Sequence, residues 1–167
     1  GTNSYTPVQL SRYVTTIANG QSCYNLTLVD HTTNSVTENE TKNTAKVKSQ
    51  LNVDSSTLNA IKSGMKKVVN NGQYVSLFRG VPVKVAGKTG TAQITANEPN
   101  HALFVSFAPY ENPEISVTVQ IPNGYTSANA VELASKVYKY YFDKKSRKSL
   151  LKKKVSNPSM GSARQTD

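Results

Sequence analysis

The sequence predicts an α+β fold, an antiparallel sheet with helices on both faces. Three segments place apolar residues at helical spacing, and three segments between the second and third helices have the apolar or alternating pattern of strands. Those strands are joined by residues 95–100 and 109–114, which are short links carrying Pro, Asn and Glu. Such links suit antiparallel neighbours, because a parallel crossover needs about a dozen residues or more.

Each predicted helix has a start signal. Thr6-Pro7 starts the first helix, with proline at the first helical position, and Asn19-Gly20 ends it. Asp54 caps the second helix, which ends at Gly72 in a left-handed conformation. The third begins near Thr126-Ser127. The apolar face of the second helix comprises Leu58, Ile61, Met65, Val68 and Val69. That of the third comprises Ala130, Val131, Ala134, Val137, Tyr138 and Tyr141.

The strand signals fall in two parts of the chain. Residues 24–29 form a short apolar run that indicates a strand, and the polar residues 30–50 indicate a surface excursion. Further on, residues 82–94 alternate weakly, residues 102–108 are nearly all apolar, and residues 115–121 alternate cleanly. We expect these last three segments to form the sheet.

Length and composition exclude several classes of protein. The chain has 167 residues, 37% of them hydrophobic, which is enough for one domain with a core. No stretch approaches the roughly 18 apolar residues that a membrane-spanning helix needs. The one cysteine, Cys23, excludes an internal disulfide and a cysteine-based zinc site. Because His31 and His101 lack the spacing of metal ligands, we expect no metal and no cofactor.

The net charge of +10 is concentrated at the C-terminus. Residues 1–135 carry ten Lys/Arg against eight Asp/Glu, whereas residues 136–167 carry ten against two. We therefore divide the chain into a folded part, residues 1–145, and a basic, mobile tail, residues 146–167. The tail is interpreted as a solvated appendage, and nucleic acid is not expected as a partner.

One segment carries recognisable chemistry, Val85-Ala86-Gly87-Lys88-Thr89-Gly90-Thr91-Ala92-Gln93. A phosphate loop is excluded, because Pro82 stands where its first glycine is needed and a strand follows instead of a helix. The K-T-G box of penicillin-recognising serine acyl-transferases fits better. There a lysine supplies positive charge and threonine hydroxyls donate to a substrate carboxylate. The glycine lets substrate approach, and a following backbone N–H faces the developing oxyanion.

The segments around this box, in their order, resemble the C-terminal half of the transpeptidase domain of class B penicillin-binding proteins. They include Thr6-Pro7-Val8-Gln9-Leu10, residues 64–69 and residues 101–109. The resemblance implies a β-lactamase/transpeptidase-like fold and a bacterial D,D-transpeptidase at the outer face of the cell membrane. Such an enzyme cross-links D-Ala-D-Ala stem peptides of peptidoglycan through a serine acyl-enzyme and binds β-lactam antibiotics.

The same resemblance assigns roles to five residues of the box. Lys88 and Thr91 are implied to be catalytic, Thr91 through a backbone N–H that donates to the oxyanion. Thr89, Gly90, Thr91 and Gln93 are implied to contact the substrate.

The sequence departs from the family pattern in one respect. The family needs an S-x-x-K, which supplies nucleophile and base, and then an S-x-N, both before the K-T-G. Ser63-Gly64-Met65-Lys66 matches S-x-x-K, but it lies on a helix that we expect to be structural. Ser127-Ala128-Asn129 matches S-x-N, but it follows Lys88 instead of preceding it. We therefore expect the nucleophile upstream of Gly1, in the other half of the domain, and any membrane anchor upstream as well. Without that half, we expect the chain to be inactive. The alternatives are a non-catalytic peptidoglycan- or partner-binding module and, less favoured, a nucleic-acid binder that uses the tail.

Overall fold

The computed structural model describes residues 3–94 and 97–144. Its helices are α1 (Pro7–Ala18), α2 (Ser55–Asn70) and α3 (Ser127–Phe142). Its strands are β1 (Ser22–Tyr24), β2 (His31–Thr33), β3 (Glu40–Lys42), β4 (Val47–Gln50), β5 (Ala86–Ala92), β6 (His101–Ala108) and β7 (Ile115–Ile121).

The central sheet has three antiparallel strands in the order β5-β6-β7. Gly87 lies opposite Ser106, and Ser106 lies opposite Val117 on the next strand. Two smaller antiparallel sheets pair β1 with β4 and β2 with β3. The predicted antiparallel sheet is therefore confirmed, with the strand order that places β5 at one side.

Helices cover both faces of the central sheet, because successive strand residues point to opposite faces. On one face, Phe104 and Val119 pack with Val131 and Tyr138 of α3. On the other face, Phe107 packs with a second group of buried residues, which comes from α1, α2 and the start of β5. That group is Val14, Ile17, Ala18, Leu58, Met65 and Ala86. The α+β fold with a two-sided sheet is confirmed, and it fixes which way each side chain of β5 points.

The helices begin where the sequence predicts. Thr6 accepts a hydrogen bond from the N–H of Gln9 and forms a capping box with it, Asp54 accepts from Thr57, and Thr126 accepts from the N–H of Ala128. Hydrogen bonds from the hydroxyls of Ser56 and Thr57, and from the N–H of Thr57, lower the pKa of the Asp54 carboxyl. The buried faces of α2 and α3 are narrower than the predicted apolar faces, because three of the predicted residues retain about 40% of their exposure: Ile61, Val137 and Tyr141.

The prediction of a left-handed Gly72 is wrong. Its φ is not positive, and the C-cap of α2 is Asn71. The glycine is instead required by a close approach, because a Cβ at this position would lie 2.9 Å from the carbonyl oxygen of Val68. Absence of a side chain, rather than backbone freedom, explains this residue.

The strand predictions need three corrections. Residues 24–29 do not form a strand, since β1 ends at Tyr24 and the side chain of Leu28 is fully exposed. The excursion at residues 30–50 contains β2, β3 and β4, whose residues are all exposed. Backbone pairing holds these short strands without an apolar face, so hydrophobic periodicity does not reveal them. In the sheet itself, β5 is shorter than the predicted residues 82–94.

A buried hydrogen-bond chain ties α3 to the middle of the sheet. The hydroxyl of Tyr138 donates to Oγ of Ser106 at 2.9 Å, and that Oγ donates to the carbonyl of Val117 at 3.0 Å. Both side chains are fully buried. Burial raises the pKa of Tyr138, because the apolar surroundings disfavour a phenolate. Since Ser106 lies opposite Gly87, this chain supports the start of β5.

The predicted basic tail lies outside the described residues, so the division at residue 145 stays a prediction. Within residues 3–94 and 97–144, none of the helices combines the length and apolar character needed to cross a bilayer.

Candidate active-site edge of the sheet

The K-T-G residues lie on a strand at the edge of the central sheet. In the part of the chain that the structure describes, β5 pairs with β6 alone. Every second residue of an edge strand directs its N–H and C=O away from the sheet, where they can bind an extended peptide. The predicted strand therefore offers both the side chains and the backbone that the K-T-G chemistry needs.

The side chains of this segment divide between the two faces of the strand. Lys88 is exposed and lies on the face that α1 and α2 cover, whereas Thr89 and Thr91 lie on the face that α3 covers. Nζ of Lys88 donates to the carbonyl of Thr89 at 2.9 Å. Gln93 is exposed and follows β5 directly. The structure thus brings all the predicted site residues to one edge, with the ammonium on one side and the hydroxyls on the other.

The two glycines of the segment have different surroundings. A Cβ at Gly87 would lie 2.4 Å from Cζ of Phe104 and 2.9 Å from Cβ of Ser106, so packing requires a glycine there. A Cβ at Gly90 would meet Leu103 at 3.4 Å, which is an ordinary contact. The fold has room for a side chain at position 90, so packing does not explain why this residue is a glycine.

An open pocket of about 740 Å³ lies beside Thr91. Its walls come from the turn after α2, the start of α3 and the loops at the ends of β5 and β7. The lining residues are Gln73, Tyr74, Ser76, Leu77, Thr91, Asn100, Tyr125, Thr126, Ser127 and Ala128. They provide amides, hydroxyls and aromatic rings, and the lining residues that the structure describes carry no formal charge.

The turn between β7 and α3 holds Tyr125 at this pocket in a constrained conformation. Asn123 and Tyr125 have backbone φ values of 51° and 62°, which residues other than glycine rarely adopt. The N–H of Asn123 donates to Nδ1 of His101 at 3.2 Å, and the N–H of Tyr125 donates to the carbonyl of Asn100 at 2.9 Å. Such strained positions cost about 1–3 kcal/mol and persist where the surroundings determine them. The turn is therefore a fixed part of the site.

Lys66, the lysine of the S-x-x-K letters that begin at Ser63, contacts residues of the segment between β6 and β7. Nζ of Lys66 lies 3.2 Å from Oε1 of Glu111 and 4.2 Å from the centre of the Tyr110 ring. The pKa of the Glu111 carboxyl is lowered by a hydrogen bond from the N–H of Glu111 itself and by the hydrogen bond from Lys66. Lys66 thus takes part in an ion pair with Glu111 and a contact with the Tyr110 ring, and the structural role of this helix stays a prediction.

The S-x-N letters at Ser127 also have structural partners. Oγ of Ser127 is buried and lies 3.1 Å from the hydroxyl oxygen of Tyr74. Nδ2 of Asn129 donates to the carbonyl of Gly124 at 2.8 Å. These contacts fix the start of α3 and the turn before it.

Sequence reasoning did not identify the pocket. Gln73, Asn100 and Tyr125 come from separate segments, and only the fold brings them to Thr91. The turn letters Pro122-Asn123-Gly124 are the one local signal near it. Among the described residues, no three His, Cys, Asp or Glu side chains cluster in a way that could hold a metal ion.

Comparisons with known proteins place this edge in a wider context. A family model described as the penicillin binding protein transpeptidase domain matches residues 1–140. Peptidoglycan D,D-transpeptidase MrdA of Haemophilus influenzae is 40% identical over 103 residues, which cover 52% of this chain and 16% of that protein. Penicillin-binding protein 2A of Bacillus subtilis is 29% identical over 167 residues, which cover 87% of this chain and 23% of that protein.

A solved structure shares the fold. The imipenem acyl-enzyme complex of penicillin-binding protein A from M. tuberculosis aligns with a TM-score of 0.70 and 24% identity, over 81% of this chain and 30% of that one. The two curated relatives are much longer than this chain, which spans less than a quarter of the length of each.

Proposed function

Because the chain belongs to the penicillin-binding protein transpeptidase family, we propose that it supplies the K-T-G wall of a peptidoglycan D,D-transpeptidase. The family is the one that the residues around Lys88 indicated. The observation that carries the proposal is the position of Lys88-Thr89-Gly90-Thr91 on β5, at an open edge of the sheet. An edge strand with a lysine and two threonines suits a peptide that ends in a carboxylate.

The proposed ligand is the D-Ala-D-Ala end of a stem peptide, lying along β5. The hydroxyls of Thr89 and Thr91 would donate hydrogen bonds to its carboxylate, and the Lys88 ammonium would supply positive charge beside it from the other side of the strand edge. The backbone N–H of Thr91 would donate to the carbonyl oxygen as it becomes an oxyanion. Gly90 would leave room for the peptide, which agrees with the absence of any packing demand at that position.

The acyl transfer itself needs a serine that another segment supplies. Its oxygen attacks the carbonyl of the penultimate D-alanine, the peptide bond breaks, and the terminal D-alanine leaves with a proton on its amine. An amine of a neighbouring stem peptide then takes the acyl group and regenerates the serine. A β-lactam would enter the same site and acylate the same serine. Since peptidoglycan lies outside the cytoplasmic membrane, we place this activity at the outer face of the membrane.

The proposal is tested with a fluorescent penicillin on the full-length polypeptide and on this chain alone. We expect a covalent adduct on the full-length protein and none on the chain alone, because the serine, base and oxyanion donors must share one site. Mass measurement after denaturation distinguishes the two results. An adduct on a serine of this chain alone would overturn the assignment of the nucleophile to another segment.

The role of Lys88 is tested in the full-length protein with a matched control. Lys88→Ala removes the ammonium at the edge and should slow acylation about 100-fold, as the loss of a preorganised electrostatic group does. Lys48→Ala removes an exposed lysine from β4 and should leave the rate unchanged. Equal rates in both variants would show that the positive charge of Lys88 does not act on the substrate.

A further inference from the structure

We propose that a groove beside Arg79 and Lys84 is a docking site for an acidic segment of a partner protein, and that one apolar side chain of that segment enters the groove. The groove lies between the end of α2, the turns of residues 72–81 and the segment that leads into β5. It shares none of its described lining residues with the pocket beside Thr91. The site is therefore additional to the active-site edge and does not depend on the proposed function.

The floor of the groove is apolar and held in place. Val69 of α2 and Val85, which precedes β5, are each 1% exposed. Nδ2 of Asn70 donates to the carbonyl of Val85 at 2.7 Å and to the carbonyl of Lys66 at 2.8 Å, which ties the end of α2 to the residue before β5. The volume of about 320 Å³ is at the lower end of the range for ligand pockets, about 300–1,000 Å³. The groove therefore suits one large side chain rather than a complete small-molecule ligand.

The turns of residues 72–81 keep apolar side chains at the wall of the groove. Backbone hydrogen bonds between residues three apart hold these turns, the last of them from the N–H of Val81 to the carbonyl of Phe78 at 3.0 Å. Val75 is 45% exposed, and Phe78 and Val81 are half-buried. A fixed apolar surface of this kind loses little conformational entropy when a side chain packs against it. An apolar side chain of the partner would cover this wall.

Two exposed cations, Arg79 and Lys84, line the same groove. Among the described residues neither of them forms a salt bridge, and the described lining contains no Asp or Glu. The acid near Lys84 is Glu111, whose carboxylate lies 3.2 Å from Nζ of Lys66. The carbonyl of Lys84 accepts from the N–H of Tyr110 at 2.8 Å, so the backbone that carries this ammonium is fixed. The rim of the groove therefore attracts carboxylates.

The charge of the chain argues against the chain itself as the occupant. Lys139 of α3 adds positive charge beside the groove, since a Cβ at Gly80 would lie 3.9 Å from its Cε. Residues 136–167, which begin within α3, carry ten Lys/Arg against two Asp/Glu, and the whole chain has a net charge of +10. A basic segment of this chain, or a second copy, would bring like charge to Arg79 and Lys84. A separate partner with Asp and Glu around an apolar residue is complementary instead.

The experiment measures the affinity of the full-length protein for three fluorescent peptides by anisotropy. The first, Asp-Glu-Leu-Phe-Glu-Asp, is acidic with an apolar centre. The second has Ser-Ser in place of Leu-Phe, and the third has Asn and Gln in place of the acids. We expect the first to bind about tenfold more tightly than either of the others, because it alone uses both the rim and the groove. Equal binding of the first peptide and either of the others would overturn the inference, as would no binding of the first.

Substitutions with matched controls locate the binding site. Arg79→Gln and Lys84→Gln each remove one cation and should weaken binding of the first peptide about two- to fivefold, as expected of an exposed ion pair. Lys48→Gln removes the same charge from β4 and should leave the affinity unchanged. Val75→Ser should weaken binding, whereas Val36→Ser, at an exposed position between β2 and β3, should not. Equal losses in the groove variants and in their controls would refute a local site.

Two further measurements separate this groove from other sites for anions. Lys88→Ala should bind the first peptide with unchanged affinity, since Lys88 is outside the lining. A loss in that variant would place the peptide at the active-site edge and overturn the inference. A fluorescent oligodeoxythymidylate should bind Arg79→Gln and the unchanged protein equally. If its affinity fell in the groove variants as much as that of the peptide, the groove would be a nucleic-acid site and the inference would fail.

Discussion

Strand β5 contains two regions with opposite properties. Ala86 and Gly87 are buried, and Gly87 lies against Phe104 and Ser106. From Lys88 to Ala92 the strand is exposed or half-buried along the open edge. The comparison shows how one strand can combine two environments: its first residues anchor it in the core, and the rest stays accessible at the edge, where we propose that the ligand binds. Changes in the two regions should therefore affect different measurements.

The largest effect is expected from Gly87→Ala. The new methyl group would overlap the ring of Phe104 and the Cβ of Ser106, both of which are fully buried and unable to move away freely. Overpacking of this kind should lower the free energy of unfolding by about 3 kcal/mol. Urea denaturation followed by circular dichroism measures it. A stability equal to that of the unchanged protein would mean that the buried start of β5 can shift, and the division of the strand would fail.

Ser106→Ala tests the support behind Gly87, with a smaller effect. It removes the acceptor of the Tyr138 hydroxyl and the donor to the Val117 carbonyl, leaving both buried groups without that partner. We expect a loss of about 2 kcal/mol in the free energy of unfolding. Tyr138→Phe keeps the bond from Ser106 to Val117 and should cost only about 1 kcal/mol. The reverse order would indicate that the ring position, not the hydrogen-bond chain, supports the strand.

The two regions also differ in how far sequence predicts them. The helix starts at Thr6, Asp54 and Thr126 follow from local capping, so they are found correctly. The role of Gly87 depends on its register with Ser106, a contact between distant segments. The K-T-G letters reveal the exposed region because the chemistry needs those residue types in one short run. The pocket beside Thr91 has no such run, and its walls are known only from the fold.

Gly90→Ala tests the exposed region with the same chemical change. A Cβ fits beside Leu103, so the free energy of unfolding should not fall. A methyl group at the edge would obstruct a peptide on β5, and acylation of the full-length protein by penicillin should slow about tenfold, or about 1.4 kcal/mol. Unchanged acylation would place the ligand elsewhere, whereas a marked loss of stability would remove the contrast with Gly87.

The smallest effect is a dependence on alkaline pH that belongs to the buried region alone. Burial raises the pKa of Tyr138 above that of the unfolded chain, whose tyrosines titrate near pH 10. Above that pH the unfolded state binds fewer protons than the native state, so the free energy of unfolding falls as pH rises. The contribution should be about 1 kcal/mol between pH 10 and pH 11. In Tyr138→Phe this contribution should vanish. The quantity to measure is the difference between the unchanged protein and Tyr138→Phe in how the free energy of unfolding depends on pH. Parallel profiles would show that the Tyr138 hydroxyl titrates as readily in the folded protein as in the unfolded one, and that the core behind Gly87 is open to solvent.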